Sequence, residues 1–320
     1  MDSTLISGLE CVGAYSAQTG ESPTWSEADQ ALYWIDVDEP ALHRFDPATG
    51  GDRLWPLPDQ IGCFALDDHA SRALLGLRSG LYQLSLRNGA LVQLAPPPFD
   101  PDMFRFNDGG CDNHGRFWLG VMNEPNARTN GSGNGDAPML RAPWHSWTPT
   151  EGLREHNDMS VIPNGLAWSP DYRTMYRSHS ESGRIYSFDY DAVTGRAANR
   201  RVFATIPAGQ GVPDGGTVDA EGCYWSALHG GGRLRRFRPD GSVDIDVELP
   251  VSQPTKCAFG GRNLDVLYVT SACGKLSAAE RRRQPLAGRL LRARAHVRGL
   301  PNASFAIGPA PQAARQPYGT

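Results

Sequence analysis

Apolar and polar positions along this chain alternate over short runs instead of recurring every three or four residues. The runs are rich in aromatic and β-branched residues and are separated by Gly, Asp, Asn and Pro, which is the pattern of strands and turns. Six of them share a scheme of a turn followed by a short strand: ALYWIDV, ALLGLRS, RFWLGVM, TMYRSHS, CYWSALH and VLYVTSA. Trp34, Leu75, Trp118, Tyr176, Trp225 and Tyr268 hold equivalent places, at intervals of 41, 43, 58, 49 and 43 residues. Many of the runs lead on to another strand and a hairpin signal, as in ALHRFDPATGG, GLYQLSLRNGA, RIYSFDYDAVTGR and RLRRFRPDGSV. About four strands per repeat is the size of a propeller blade. Six repeats therefore predict an all-β fold, a six-bladed β-propeller around a central channel. It is expected as a single domain over residues 1–300, with a loose Ala- and Pro-rich tail over 301–320. Pairing of the first residues with GRLLRARAHV (288–297) is expected to close the ring, because closure removes the open strand edge.

Composition narrows the class of function. The chain has 320 residues, 40% hydrophobic and 21% charged, as globular proteins do. Its net charge is −4, and no long basic stripe appears, so a nucleic-acid partner is not expected. No apolar run approaches the roughly 18 residues of a membrane helix, and no membrane partner is expected. The start, MDSTLISGLECVG, lacks a positive segment and a proper apolar stretch and is not read as a secretion signal. Six scattered cysteines without a CxxC pair are expected to be reduced and buried. The cytoplasm is the expected compartment.

Candidate chemistry emerges from the phase of the repeat. Glu21 lies 13 residues before Trp34, and Asn107 lies 11 before Trp118. Asn164 lies 12 before Tyr176, and Asp214 lies 11 before Trp225. Four blades thus place an acid or an amide just ahead of the innermost strand. Equivalent positions in a cyclic array share one end of the ring, so these four residues should converge on one mouth of the channel. Asn-Gly and Asp-Gly are ordinary turn dipeptides, and PDG at 239–241 is read as a hairpin only. The shared phase distinguishes the two cases. Two carboxylates forced together repel unless a cation lies between them. Oxygen donors from Glu21, Asp214 and an amide suit Ca²⁺, Mg²⁺ or Mn²⁺ better than a structural zinc site. Arg105 gains interest by standing two residues before Asn107. The polar, Gly-rich stretch at 123–138 is read as a lid over one end of the channel. The basic run Arg281, Arg282 and Arg283 is read as a solvated loop.

Taken in order, GESPTW, RFNDGGCDNHGRFWLGVM, NGLAWSPD, RIYSFDYDAVTGR, VPDGGTVDAEGCYWSAL and CAFGGRNLDVLYVTSA resemble the senescence-marker-protein-30 family, also called the gluconolactonase or regucalcin family. The resemblance runs from about Glu10 to about Leu300. It implies a six-bladed propeller with a divalent cation in the channel, Ca²⁺ first, with Zn²⁺, Mn²⁺ or Mg²⁺ as alternatives. It further implies hydrolysis of a sugar (aldono) lactone to the aldonic acid, a carboxylic ester hydrolase reaction. Glu21, Asn164 and Asp214 are then the metal ligands, and Asp214 is also the catalytic base. Arg105 and Asn107 are the substrate-contacting pair. Some members add a Glu after GTM, for which Glu124 after GVMN is the nearest match, one place out of register. Members carry an aspartate where His179 stands. His229, in ALHGGG, is read as a hydrogen-bonded loop histidine.

The expected partner is a small-molecule sugar lactone, with the protein a monomer or weak homo-oligomer. Two other readings keep the propeller: an esterase or organophosphate hydrolase using the same Lewis-acid chemistry, and a non-enzymatic calcium-binding propeller. The identity of the sugar is left open at this level, because the candidates differ by one hydroxyl orientation or one carbon.

Overall fold

The computed structural model describes residues 5–125 and 139–305. Most of the stretch read as a lid, and the tail beyond Phe305, lie outside the described residues. Six four-stranded antiparallel sheets form six blades. Their innermost strands are Gly20–Ser26, Ile61–Leu66, Phe104–Cys111, Pro163–Trp168, Val212–Val218 and Pro254–Gly260, in blades I to VI. Each innermost strand packs against those of both neighbouring blades, and the first meets the last, so they make a closed ring. Blade VI takes its outermost strand from the other end of the chain: Ile6–Ser16 pairs antiparallel with Arg289–Ala295. The ring thus closes as expected, leaving no blade short of an edge partner.

The repeat markers lie on the second strand of each blade and are buried, from 0% exposed at Leu75, Trp118 and Trp225 to 4% at Tyr176. They recur because blades pack face to face, and each interface needs a large apolar residue at that level. The apolar clusters follow this geometry. Tyr33, Ile35 and Leu42 of blade I join Phe64 and Leu75 of blade II, and Trp118 and Trp144 of blade III join Trp168 and Met175 of blade IV. All six cysteines are unpaired, and five are buried. No described helix is long and apolar enough to cross a membrane.

Two local expectations change. Arg281–Arg283 lie not in a loop but in a short helix, Ala278–Arg283. Ser277 caps it by accepting from the Glu280 amide, and the Glu280 carboxylate accepts from the Ser277 amide. That capping box is written in the sequence as SAAE. Residues 301–305, placed with the tail by composition, lie across the far end of the channel. Asn302 Nδ2 donates to the Trp25 carbonyl in blade I at 3.1 Å, and the Phe305 amide donates to Leu66 O in blade II at 3.0 Å. Phe305 is 3% exposed and packs with Leu74 and Phe106. Above this segment lies a cavity of about 300 Å³, lined by the later residues of the inner strands, among them Trp25, Phe64, Leu166 and Lys256.

Replacing Phe305 with alanine is expected to destabilise the protein by about 3 kcal/mol in urea unfolding, the usual cost of emptying a buried aromatic site. A loose tail would give no change.

Candidate active site at the channel mouth

Every innermost strand carries a break in its pairing register at nearly the same level. The breaks fall between Glu21 and Thr24, Ile61 and Cys63, Phe106 and Gly109, Asn164 and Ala167, Pro213 and Gly216, and Pro254 and Lys256. A bulge releases residues from the ladder and re-aims side chains. Glu21, Asn107, Asn164 and Asp214 all stand at these bulges. They therefore lie within the innermost strands and not ahead of them. The strands begin earlier than the sequence pattern shows, because bulged residues break the alternation that marks a strand. At blade IV the bulge requires glycine. Gly165 has φ +63°, and a Cβ there would meet Ser178 Oγ at 2.2 Å and the Tyr224 hydroxyl at 2.3 Å.

A continuous chain of polar contacts runs along this mouth from blade II to blade V. Arg78, 4% exposed, donates through Nη2 to Glu124 Oε2 at 3.1 Å. Arg105 Nε donates to the same oxygen at 2.5 Å, and its Nη1 donates to Asn107 Oδ1 at 2.8 Å. Asn107 Nδ2 donates to Asn164 Oδ1 and to the Pro163 carbonyl, both at 2.9 Å. Asn164 Nδ2 donates to Ser180 Oγ at 2.9 Å, and the Ser180 hydroxyl donates to the Pro213 carbonyl at 2.7 Å, next to Asp214. The structure thus brings Arg105, Asn107, Asn164 and Glu124 into one network. Both amide hydrogens of Asn107 are engaged, which leaves it chiefly a link between Arg105 and Asn164. Burial would raise the Glu124 carboxyl, but Arg105, then Arg78 and Lys275, hold it below the usual range.

Glu21 and Asp214 lie outside that chain and within each other's electrostatic reach. Burial pushes the Glu21 carboxyl up to about 7, with Lys256 opposing and Asp108 adding to the rise. Burial, then Glu21 and Asp108, raise Asp214 well above an ordinary carboxylate, against Lys256. The Glu21 carboxylate accepts from the Ser22 amide next to it, at 2.5 Å. Asn164 Oδ1 accepts one hydrogen bond and keeps a lone pair. Two crowded, under-neutralised carboxylates with an amide oxygen from the neighbouring blade form a donor set that fits a hard divalent cation. Another acidic cluster, Asp219, Glu221 and Cys223, does not fit one. Arg236 already donates to Asp219 at 2.8 Å and to Glu221 at 2.6 Å.

The two noted histidines sit differently. His179 Nε2 faces Asp158 at 3.9 Å and Nδ1 faces Glu181 at 3.8 Å, with its ring edge-on to Tyr186. Burial, with Lys275 adding, lowers His229 to about 4, so it is neutral at pH 7. Arg78, Asp108 and Lys256 were missed by the sequence reading. Lys256 had a signal: it stands 12 residues before Tyr268, the same offset as Asn164 in its own repeat.

Comparison with known proteins adds the lineage. A 6-deoxy-6-sulfogluconolactonase of Pseudomonas putida is 36% identical, across 93% of this chain and 98% of its own length. Regucalcin of Xenopus laevis is 33% identical with the same coverage. The solved structure of a calcium-binding regucalcin from Agrobacterium tumefaciens superposes with a TM-score of 0.85 at 25% identity, over 94% of this chain and 98% of that one. Residues 19–273 match the region described as SMP-30/Gluconolactonase/LRE-like. With six blades, a polar channel mouth and that match over most of its length, the chain belongs to the SMP-30/gluconolactonase/LRE-like family.

Proposed function

We propose that this protein is a sugar lactonase, hydrolysing an aldono-lactone to the free aldonic acid at the channel mouth. The observation that carries the reading is that Glu21, Asn107, Asn164 and Asp214 all stand at the bulges of their inner strands, with the Arg105–Asn107–Asn164 chain among them. The names of relatives that act on gluconolactones support the substrate class. Glu21, Asn164 and Asp214 would hold one divalent ion, for which calcium is favoured by the regucalcin relatives. When bound, that ion would polarise the lactone carbonyl and let both carboxylates ionise at neutral pH.

The chain's own residues supply the rest. Asp214 takes a proton from the attacking water as its oxygen bonds to the lactone carbonyl carbon. The bond from that carbon to the ring oxygen then breaks, and Asp214 returns the proton to the ring oxygen, which leaves as a hydroxyl. Arg105 carries a planar guanidinium and keeps one Nη2 hydrogen outside its contacts with Glu124, Phe106 and Asn107. That hydrogen is available to the substrate oxygen that gains negative charge. Glu124, clamped by Arg78 and Arg105, presents a fixed acceptor to a sugar hydroxyl.

Asp214→Asn and Glu21→Gln are each expected to lower kcat/KM by at least ~10³-fold on a lactone panel without changing the circular dichroism spectrum. Metal-dependent turnover absent from the wild type would instead favour the calcium-binding reading, and turnover of paraoxon alone the organophosphate one. Arg105→Ala is expected to cost roughly 10²-fold in kcat/KM while calorimetry still shows the ion bound. Arg78→Met, which frees one side of Glu124, is expected to raise KM several-fold with little change in kcat.

The carboxylates also set a pH dependence in chelated protein. Glu21 has an ordinary value of 4.5 and a folded value of about 7, so between those values the folded state holds more protons. Stability of the ion-free protein therefore falls as pH rises from about 4.5 to about 7. Relative to Glu21→Gln, chelated wild type is expected to melt roughly 2–5 °C higher at pH 5.5 than at pH 8 by scanning calorimetry. Saturating divalent ion should remove the difference.

A further inference from the structure

Beneath the Glu21–Asp214 pair the channel carries a cation of its own. Lys256, from the innermost strand of blade VI, is 8% exposed, and its Nζ donates to Asp108 Oδ1 at 2.5 Å. Asp108, from blade III, is 3% exposed and also accepts from the Gly109 and Leu166 amides, each at 2.9 Å. Its carboxylate is therefore held from blades III, IV and VI together. The Lys256 stem passes directly against the residue after Asp214. A Cβ on Gly215 would meet Lys256 Cγ at 2.4 Å, Cβ at 2.5 Å and Cδ at 2.7 Å, so only glycine fits there. Lys256 also lines the far cavity.

Charge accounting gives this pair a role. Glu21, Asp108 and Asp214 bring three negative charges to the channel axis, which one ammonium and one divalent ion neutralise. We propose that Lys256 is a resident counter-cation that anchors Asp108 and, by repulsion, holds down the affinity of the Glu21–Asn164–Asp214 centre for its divalent ion. The inference rests on the metal-binding reading above. A group that merely filled space would act in the opposite sense, because losing it would loosen the centre and weaken the ion. Burial works against the Lys256 charge, but Asp108 and Glu21 overcome it and keep the ammonium protonated.

The test is calcium titration of the chelated full-length protein by calorimetry, repeated with Mn²⁺ by electron paramagnetic resonance. Lys256→Met keeps most of the stem, removes the charge and leaves Asp108 as a further anion near the ion. It is expected to bind the ion at least about tenfold more tightly than wild type. Asp108→Asn leaves the ammonium unopposed and is expected to bind about tenfold more weakly. The double variant Asp108→Asn/Lys256→Met should return close to wild type. In chelator, Lys256→Met should melt below wild type, and ion should raise its Tm by more than it raises the wild-type Tm. Should Lys256→Met fail to fold, the step from Asp108→Asn to the double variant carries the same expected tightening. Equal or weaker binding on losing Lys256, in every background that folds, overturns the inference alone. A wild type that binds no divalent ion overturns the metal reading and this inference with it.

Discussion

Negative charge gathered on the channel axis governs this molecule. Glu21, Asp108 and Asp214 reach the axis from blades I, III and V, through strands that neighbouring blades hold in a closed ring. Carboxylates so placed cannot move apart without breaking the ring, so their charge must be met where they stand. Asp108 meets its need with Lys256 and two backbone amides. Lys256 offsets only part of the burial of Glu21 and Asp214, and both carboxyls stay above their ordinary pKa range. The fold thereby satisfies one carboxylate with a resident cation, and the other two form the site proposed for a divalent ion.

The polar chain beside them works differently. Arg78, Glu124, Arg105, Asn107 and Asn164 satisfy one another in sequence, and two of the links, Arg78–Glu124 and Asn107–Asn164, cross a blade boundary. Such a network is rigid because moving one member strands a buried donor or acceptor in its neighbour. Under the proposed function, a site that distinguishes sugar hydroxyls would need fixed donors and acceptors, and these contacts would fix them before substrate arrives. The bulges make this possible. Each releases one or two residues from the ladder without breaking the sheet, so side chains turn toward the axis while the strands on either side stay paired.

The six-fold repeat was legible because a blade is a local object. Its strands follow one another with short hairpins, and the residue that fills the gap between blades recurs at the same place. The phase of that residue located four polar positions of the mouth. It did not show that they lie inside the inner strands, since a bulge disrupts the alternation by which a strand is read. The short helix at Ala278–Arg283, read as a loop from its basic run, carries its own local signal in the capping box of Ser277 and Glu280.

Pattern alone therefore determined the class of fold, the number of blades, the closing strand pair and the end of the ring where acids and amides gather. These follow from spacing and from burial of apolar residues near in sequence. Only the tertiary structure decided which polar groups answer one another. Lys256 and Asp108 are 148 residues apart, and Arg78 and Glu124 are 46 apart. The Phe305 amide meets Leu66 from the other end of the chain. Nothing local in either partner specifies such pairs. They arise because closing the ring brings residues of neighbouring and opposite blades, and the two ends of the chain, together around a common axis.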